Sequence, residues 1–214
     1  KNKNIHGINI TVPFKKKIIP YLDKLSDEAS NTQSVNTVYL DKGKIIGHNT
    51  DIIGFEIGLK KTNYNIKDKK ILILGAGGVV SSIIYAVKKM KASEIIVSNR
   101  TQSKAENLKK IFSDLKITKW GEVPDFDVVI NATSIGLKEK DTIDLDFSKI
   151  GKDKLFFDVI YNPKETNFLN IGKKLGNLTE NGKFMFIYQA SAAFEIWHGV
   201  QPKINNNVIK LLDL

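Results

Sequence analysis

The stretch from Lys70 to Met90 constrains the fold more than any other part of the chain. Ile71-Leu72-Ile73-Leu74 is a continuous apolar run, the pattern of a strand buried on both faces of a parallel sheet. It ends in Gly75-Ala76-Gly77-Gly78. Val79 to Met90 then has helical spacing, with Val80, Ile83, Ile84 and Val87 on one face. A second apolar run, Ile95-Ile96-Val97, ends at Ser98-Asn99-Arg100-Thr101, where Thr101 is placed to N-cap a helix reaching about Phe112. Val128-Val129-Ile130 ends at Asn131-Ala132-Thr133-Ser134, and Leu155-Phe156-Phe157 ends at Asp158. This alternation predicts an α/β chain with a Rossmann-like, doubly wound parallel sheet.

The glycine turn lies directly between a strand and a helix, the context in which such a motif carries weight. Gly75 permits the tight turn, and Gly77 lets the backbone approach a pyrophosphate that faces the helix N-terminal amides. The third glycine of the usual fingerprint would fall at Val80, so the match is partial. The end of the next strand selects the dinucleotide. A carboxylate there would hold a ribose 2′-hydroxyl and indicate NAD. This chain instead has Asn99-Arg100-Thr101 and, one helical turn on, Lys104: an amide, a guanidinium that can stack on adenine and bind phosphate, a hydroxyl and a second cation. That set predicts NADP as cofactor.

The flanks differ from this centre. Residues 1–51 read as a strand from Gly7 to Val12 and a helical stretch from about Phe14 to Leu25, interrupted near Pro20. A hairpin follows, Val35 to Leu40 and Lys44 to Gly47, joined across Asp41-Lys42-Gly43. A helix from Asp51 to about Lys61 leads into the sheet, and Met185 to His198 and Ile204 to Leu212 are helical patterns near the C-terminus. We expect a smaller α/β substrate lobe formed by both termini, residues 1–51 and 184–214, and an NADP-binding domain over 52–183.

The formal charge of +10 raises a nucleic-acid reading. The lysines are spread in pairs and triplets over separate elements, with no RNA-binding aromatic signature or zinc finger, so a nucleic-acid partner is not expected. Cysteine is absent, which excludes disulfides, thiolate nucleophiles and cysteine-bound zinc. No run approaches the length of a membrane span and no signal-peptide pattern opens the sequence, so a cytoplasmic protein with no metal and no membrane partner is expected.

The flanking lobe carries polar residues where burial is expected: Asn9 and Thr11 on one strand, Asn36 and Thr37 on another, and Asn49-Thr50-Asp51 at a helix start. Polyhydroxylated substrates need convergent groups of this kind. Taken singly, each has an ordinary structural reading. Asp51 suits a helix start, Asn36 a hairpin, and Lys15 a solvated triplet with Lys16 and Lys17.

Taken together the motifs closely resemble the shikimate dehydrogenase family. Asn9-Ile10-Thr11-Val12-Pro13-Phe14-Lys15 is similar to its N-V-T-x-P-x-K, Ser34-Val35-Asn36-Thr37 to its A-V-N-T, and Gly47-His48-Asn49-Thr50-Asp51 to its G-x-N-T-D. The glycine turn and Asn99-Arg100-Thr101 resemble those of its NADP-binding members. Asn131 to Gly136 resembles its N-A-T-x-x-G, and Asp158 to Pro163 its D-x-x-Y-x-P. Gly182, Met185, Gln189-Ala190 and Trp197-His198-Gly199 follow its C-terminal motifs.

The resemblance implies NADPH-dependent reversible reduction of 3-dehydroshikimate to shikimate in aromatic amino-acid biosynthesis. Lys15 would be the acid/base and Asp51 its charged partner. Asn9, Thr11, Asn36, Tyr161 and Gln189 would bind substrate. The implied cofactor site comprises Gly75, Ala76, Gly77, Gly78, Val79, Asn99, Arg100, Thr101, Lys104, Thr133, Val159, Gly182 and Met185, with Asp27 as an acidic residue near the cofactor. A homodimer is left open. The chemistry stands beside the resemblance, because carbonyl reduction needs a proton donor at the new hydroxyl and a carboxylate can hold a lysine in place for it.

Two departures from the family pattern matter. The family's S-x-S motif and nearby H-N, implied to bind the substrate carboxylate, precede the first residue of this sequence. The glycine turn continues Val79-Val80-Ser81 where the family often has A-x-R, which places more of the phosphate binding on Arg100 and Lys104. The competing readings are a relative that prefers quinate or NAD, and a non-catalytic NADP-binding module.

Overall fold

The structure is a computed structural model that describes residues 5–138 and 140–212. The outer ends of the two terminal segments assigned to the substrate lobe, residues 1–4 and 213–214, lie outside the described residues.

The first part of the chain builds a small mixed sheet. Its elements are β1 (Gly7–Asn9), β2 (Lys24–Leu25), α1 (Asp27–Thr32), β3 (Thr37–Asp41) and β4 (Lys44–His48), with strand order β1-β3-β4-β2. β1 and β4 run antiparallel to β3, whereas β2 runs parallel to β4. The β3–β4 hairpin closes with Asp41 opposite Lys44, and its two linking residues, Lys42 and Gly43, both have positive φ (47° and 79°). Turns with two positive φ values match the right-handed twist of the strands they join.

α2 (Asp51–Lys60) connects this sheet to the second one. There follow β5 (Lys70–Leu74), α3 (Val80–Lys89), β6 (Glu94–Ser98), α4 (Gln102–Lys109), β7 (Lys116–Thr118), β8 (Val128–Asn131), β9 (Leu155–Asp158), α5 (Asn167–Lys174) and β10 (Leu178–Glu180). The order is β10-β9-β8-β5-β6-β7 and every pairing is parallel. Strand order reverses between β5 and β8, so the turns after those two strands flank the crevice where open α/β sheets bind ligands. α6 (Lys183–His198) returns to pack along α2, and α7 (Asn206–Lys210) follows it.

Alternation along the strands explains the two cores. Ile71 and Ile73 enter one apolar cluster with Val80, Ile83, Ile84 and Val87 of α3, while Leu72 and Leu74 enter another with Phe126, Phe156 and Phe168. β5 is therefore apolar at successive positions because both of its faces are covered.

The helix expected from about Phe14 to Leu25 does not form. The region makes turns and one 3₁₀ segment, Ile19–Tyr21, that contains Pro20. Proline lacks the amide for an interior helical bond, and its ring clashes with the preceding turn. The residues beyond it are recruited by the hairpin instead. The Asp23 amide donates to the Ile45 carbonyl at 2.9 Å, the Asp23 carboxylate accepts from the Ile45 amide at 2.7 Å, and Lys24–Leu25 pairs with Ile46 and Gly47. β1 also stops at Asn9 rather than Val12. Thr101 does occupy the N-cap of α4, but its side chain makes no capping bond, and α4 ends at Lys109 rather than Phe112. α7 starts later than the Ile204–Leu212 pattern because Asn205 caps it, accepting from the amides of Asn207 and Val208 at 3.1 Å each, and it ends at Lys210.

Candidate active site

Lys15 follows the turn at Val12-Pro13 and is fixed from behind by the Val35 amide, which donates to its carbonyl at 2.9 Å. Its Nζ donates to Asp51 Oδ2 at 2.5 Å, a close contact between opposite charges. The side chains are 12% and 8% exposed, whereas Lys16 and Lys17 stand in solvent. Asp51 opens α2, where a negative charge is favoured by the helix N-terminus.

Asn36 organises the other side of this pair. Its side-chain oxygen accepts from the Thr50 amide at 2.8 Å, and its Nδ2 donates to Asp51 Oδ1 at 2.9 Å and reaches Gln189 Oε1 at 3.4 Å. One buried amide thus joins the hairpin, the start of α2 and the middle of α6. Behind it Asn49 is fully used, with Nδ2 donating to the Ser34 carbonyl and to Ser82 Oγ, both at 2.9 Å. The Ser34 hydroxyl in turn donates to the Gly78 carbonyl at 3.2 Å. These bonds attach the hairpin to the glycine turn and to α3.

Two cavities meet at Lys15. The larger, about 630 Å³, runs along the carboxyl ends of the parallel strands. Gly75 to Val79 lie after β5, Asn99, Arg100 and Lys104 after β6, Trp120 after β7, Thr133 after β8, and Val159 to Asn162 after β9. The smaller, about 350 Å³, is walled by Asn9, Thr11, Asn36, Asp51, Met185, Phe186 and Gln189, together with Gly182. Lys15, Val79, Val159 and Tyr161 line both. The Tyr161 ring stacks on Phe186, with centroids 4.5 Å apart and planes 25° apart.

Most of the residues singled out in the sequence are therefore brought together. Gly182 and Met185, expected beside a cofactor, line the smaller cavity instead. Asp27 and Thr101 line neither. Asp27 is exposed in the first turn of α1, where its carboxylate complements that helix's own N-terminus. Thr101 is exposed, with its carbonyl accepting from Asn99 Nδ2 at 2.8 Å. Two lining aromatics were not anticipated. Phe186 lies three positions before Gln189 on α6, a spacing that puts both on one side of the helix. Trp120 follows β7, a strand too short to stand out in the apolar pattern.

Two family models match the chain: the shikimate dehydrogenase substrate binding domain over residues 1–38, and shikimate / quinate 5-dehydrogenase over residues 56–168. The chain belongs to the shikimate / quinate 5-dehydrogenase family. Among relatives, a shikimate dehydrogenase (NADP(+)) of Pelagibacter ubique is 61% identical over 214 residues, covering 100% of this chain and 81% of that protein. Among solved structures, shikimate 5-dehydrogenase from Thermus thermophilus in complex with NADP(H) and shikimate matches with a TM-score of 0.87 at 29% identity, covering 98% of this chain and 78% of that one. Quinate dehydrogenase from Corynebacterium glutamicum in complex with NAD matches with a TM-score of 0.90 at 31% identity, covering 99% and 79%.

The larger cavity fits a phosphorylated dinucleotide. Gly75 has φ 110°, and a Cβ there would stand 2.8 Å from the Ala132 carbonyl oxygen. A Cβ at Gly77 would meet nothing closer than 4.0 Å, so the bare backbone presents open space beside the N-terminus of α3. The cavity lining contains Lys15, Arg100 and Lys104 and no carboxylate. Among the described residues no cluster of potential metal ligands occurs, and no helix is long and apolar enough to cross a membrane.

Asp158, at the end of β9, holds the floor of the same crevice. Its carboxylate accepts from Asn131 Nδ2, Thr166 Oγ1 and the Ile160 amide, at 3.1, 2.7 and 3.0 Å. Burial outweighs these donors and pushes its pKa up to about 6 from 3.8. The folded state therefore holds this proton more tightly than the unfolded chain. Its contribution to stability is full below the unfolded value and is lost as pH rises through about 6. An Asp158→Asn variant lacks this titration. The parent should lose up to ~3 kcal/mol relative to it between about pH 4 and about pH 7, read from urea midpoints. A constant difference across that range would refute the assignment.

Proposed function

We propose that the chain is an NADP-dependent shikimate dehydrogenase, reversibly reducing 3-dehydroshikimate to shikimate in aromatic amino-acid biosynthesis. The observation that carries this reading is the Lys15–Asp51 pair, held at the junction of a dinucleotide-shaped cleft and a small polar cavity. NADPH supplies the hydride when bound. Lys15 delivers the proton to the oxygen that becomes the new hydroxyl, and takes one back in the oxidation direction. Asp51 holds the ammonium in place and aims it through the bond from Nζ to Oδ2. Asn36 orients Asp51, and with Asn9, Thr11, Tyr161 and Gln189 it offers amides and hydroxyls to the substrate's own hydroxyls. Arg100 and Lys104 receive the cofactor's 2′-phosphate, and the turn from Gly75 to Val79 its pyrophosphate.

In this reading residues 1–51 and 184–214 form the substrate lobe and 52–183 the cofactor domain. The two separate sheets support that division, with α2 and α6 packed between them. A cytoplasmic location goes with the reading.

The likeness to a quinate dehydrogenase with NAD defines the second reading. Assays that pair shikimate or quinate with NADP or NAD, followed by nicotinamide absorbance, separate the two. We expect shikimate with NADP to give the highest kcat/KM. Preference for quinate with NAD would overturn the assignment, and no turnover of either substrate alongside tight NADP binding would favour a non-catalytic module.

A further inference from the structure

We propose that Trp120 forms one jaw of an adenine clamp whose opposite jaw is Arg100. The proposal rests on the larger cavity holding the dinucleotide.

The register of the sheet places the two residues at matching positions on adjacent strand ends. β6 and β7 are parallel neighbours, with Ser98 paired to Thr118. Arg100 and Trp120 each lie two residues beyond that last pair, at matching positions past the carboxyl ends of adjacent strands. Both line the larger cavity, as does Lys104. Trp120 is half-buried. It packs against the apolar cluster of Leu72, Ile96 and Phe126 beneath the sheet while still contributing to the cavity wall. An indole anchored in this way is a rigid plane, which is what stacking on a base requires.

The composition supports the same conclusion from the other jaw. The chain has 33 basic residues, and Arg100 is the single arginine among them. The remaining 32 are lysines. A lysine would supply charge toward a phosphate, but only the guanidinium offers a flat face to a base as well. Among the described residues neither Arg100 nor Lys104 has an ion-pair partner, so the guanidinium is available to a ligand. Trp120 and Arg100 then recognise the base by its two faces, and Lys104 answers the adjacent phosphate.

The test uses the full chain and two fragments of the cofactor, adenosine 2′,5′-bisphosphate and nicotinamide mononucleotide. Trp197, the other tryptophan, is tied to the Val38 carbonyl at 3.1 Å and lines neither cavity. Trp197→Phe therefore leaves Trp120 as the sole indole emitter. Saturable quenching of that emission by adenosine 2′,5′-bisphosphate, with none by nicotinamide mononucleotide, is the expected result. By calorimetry, Trp120→Ala should weaken adenosine 2′,5′-bisphosphate binding by about tenfold or more, with Trp120→Phe intermediate and nicotinamide mononucleotide unaffected. Trp120→Phe keeps an aromatic ring on the apolar cluster, so it gives a folded comparison if the alanine variant is unstable. Parent-like affinity in the substituted proteins, or an unquenched Trp120, would overturn the clamp while leaving the cofactor site standing. Failure of the parent to bind NADP at all would remove both.

Discussion

Replacing Lys15 with methionine should lower turnover by about 10²–10⁴-fold, the usual range for removing a positioned acid/base group, while NADP affinity changes little. The methionine keeps most of the aliphatic stem that passes Gly78, where the Lys15 Cδ would stand 3.6 Å from an added Cβ, and removes only the ammonium. Asp51 is left buried without its cation, so the variant should also melt earlier than the parent. The separation that matters is between kcat and cofactor binding. Isothermal titration with NADP on the purified variant, beside steady-state shikimate oxidation, distinguishes a proton donor from a scaffold. Equal losses in the two would assign Lys15 a structural role. Lys16→Met and Lys17→Met serve as controls, and both should turn over as the parent does, because those side chains stand in solvent.

Gly182→Ala is expected to be the most damaging single-methyl change near the site. The residue lies where α6 begins, and an added Cβ would stand 2.1 Å from the Val159 carbonyl oxygen and 2.5 Å from its carbonyl carbon. These are backbone atoms and cannot rotate aside. Val159 is itself held, since its amide donates to the Asn131 carbonyl at 3.0 Å. Overpacking of this kind costs about 3 kcal/mol, which for a chain of this size lowers Tm by roughly 6–12 °C. Val159 lines both cavities, so the KM values for substrate and NADP should both rise. Gly43→Ala gives the contrast. It has φ 79° and nothing within 4 Å, so it should cost about 1 kcal/mol of backbone strain and leave both KM values unchanged. If Gly182→Ala were as mild as Gly43→Ala, the rigidity assigned to the wall at Val159 would be wrong.

The parts of this molecule that could be read in advance are those where chemistry and periodicity coincide. β5, the glycine turn and α3 announce themselves because a doubly covered strand must be apolar throughout and the turn after it needs φ 110° at Gly75. The Lys15–Asp51 contact spans 36 positions and has no local signal. It became legible only through the motif around each partner. The segment after Phe14 was misread because apolar residues on either side of Pro20 suit a helical face. Its fate was decided by the distant β4, which offered Asp23 to Leu25 hydrogen-bond partners that no local window contains. Asp27 lines neither cavity, and its position has an ordinary local reading, since an acidic residue at a helix start satisfies that helix whether or not a cofactor lies nearby. Trp120 lies beyond a three-residue strand, and its importance depends on which strand β7 adjoins.

The wall made by Lys15, Val79, Val159 and Tyr161 belongs to both cavities at once. Whatever fills one cavity therefore becomes part of the surface that the other ligand meets. Any help that the first ligand gives the second by completing that surface must be returned in equal measure when the order of arrival is reversed, because the two routes to the ternary complex close a thermodynamic cycle. No moving part is needed for this. The mutual dependence follows from placing four side chains on a shared border.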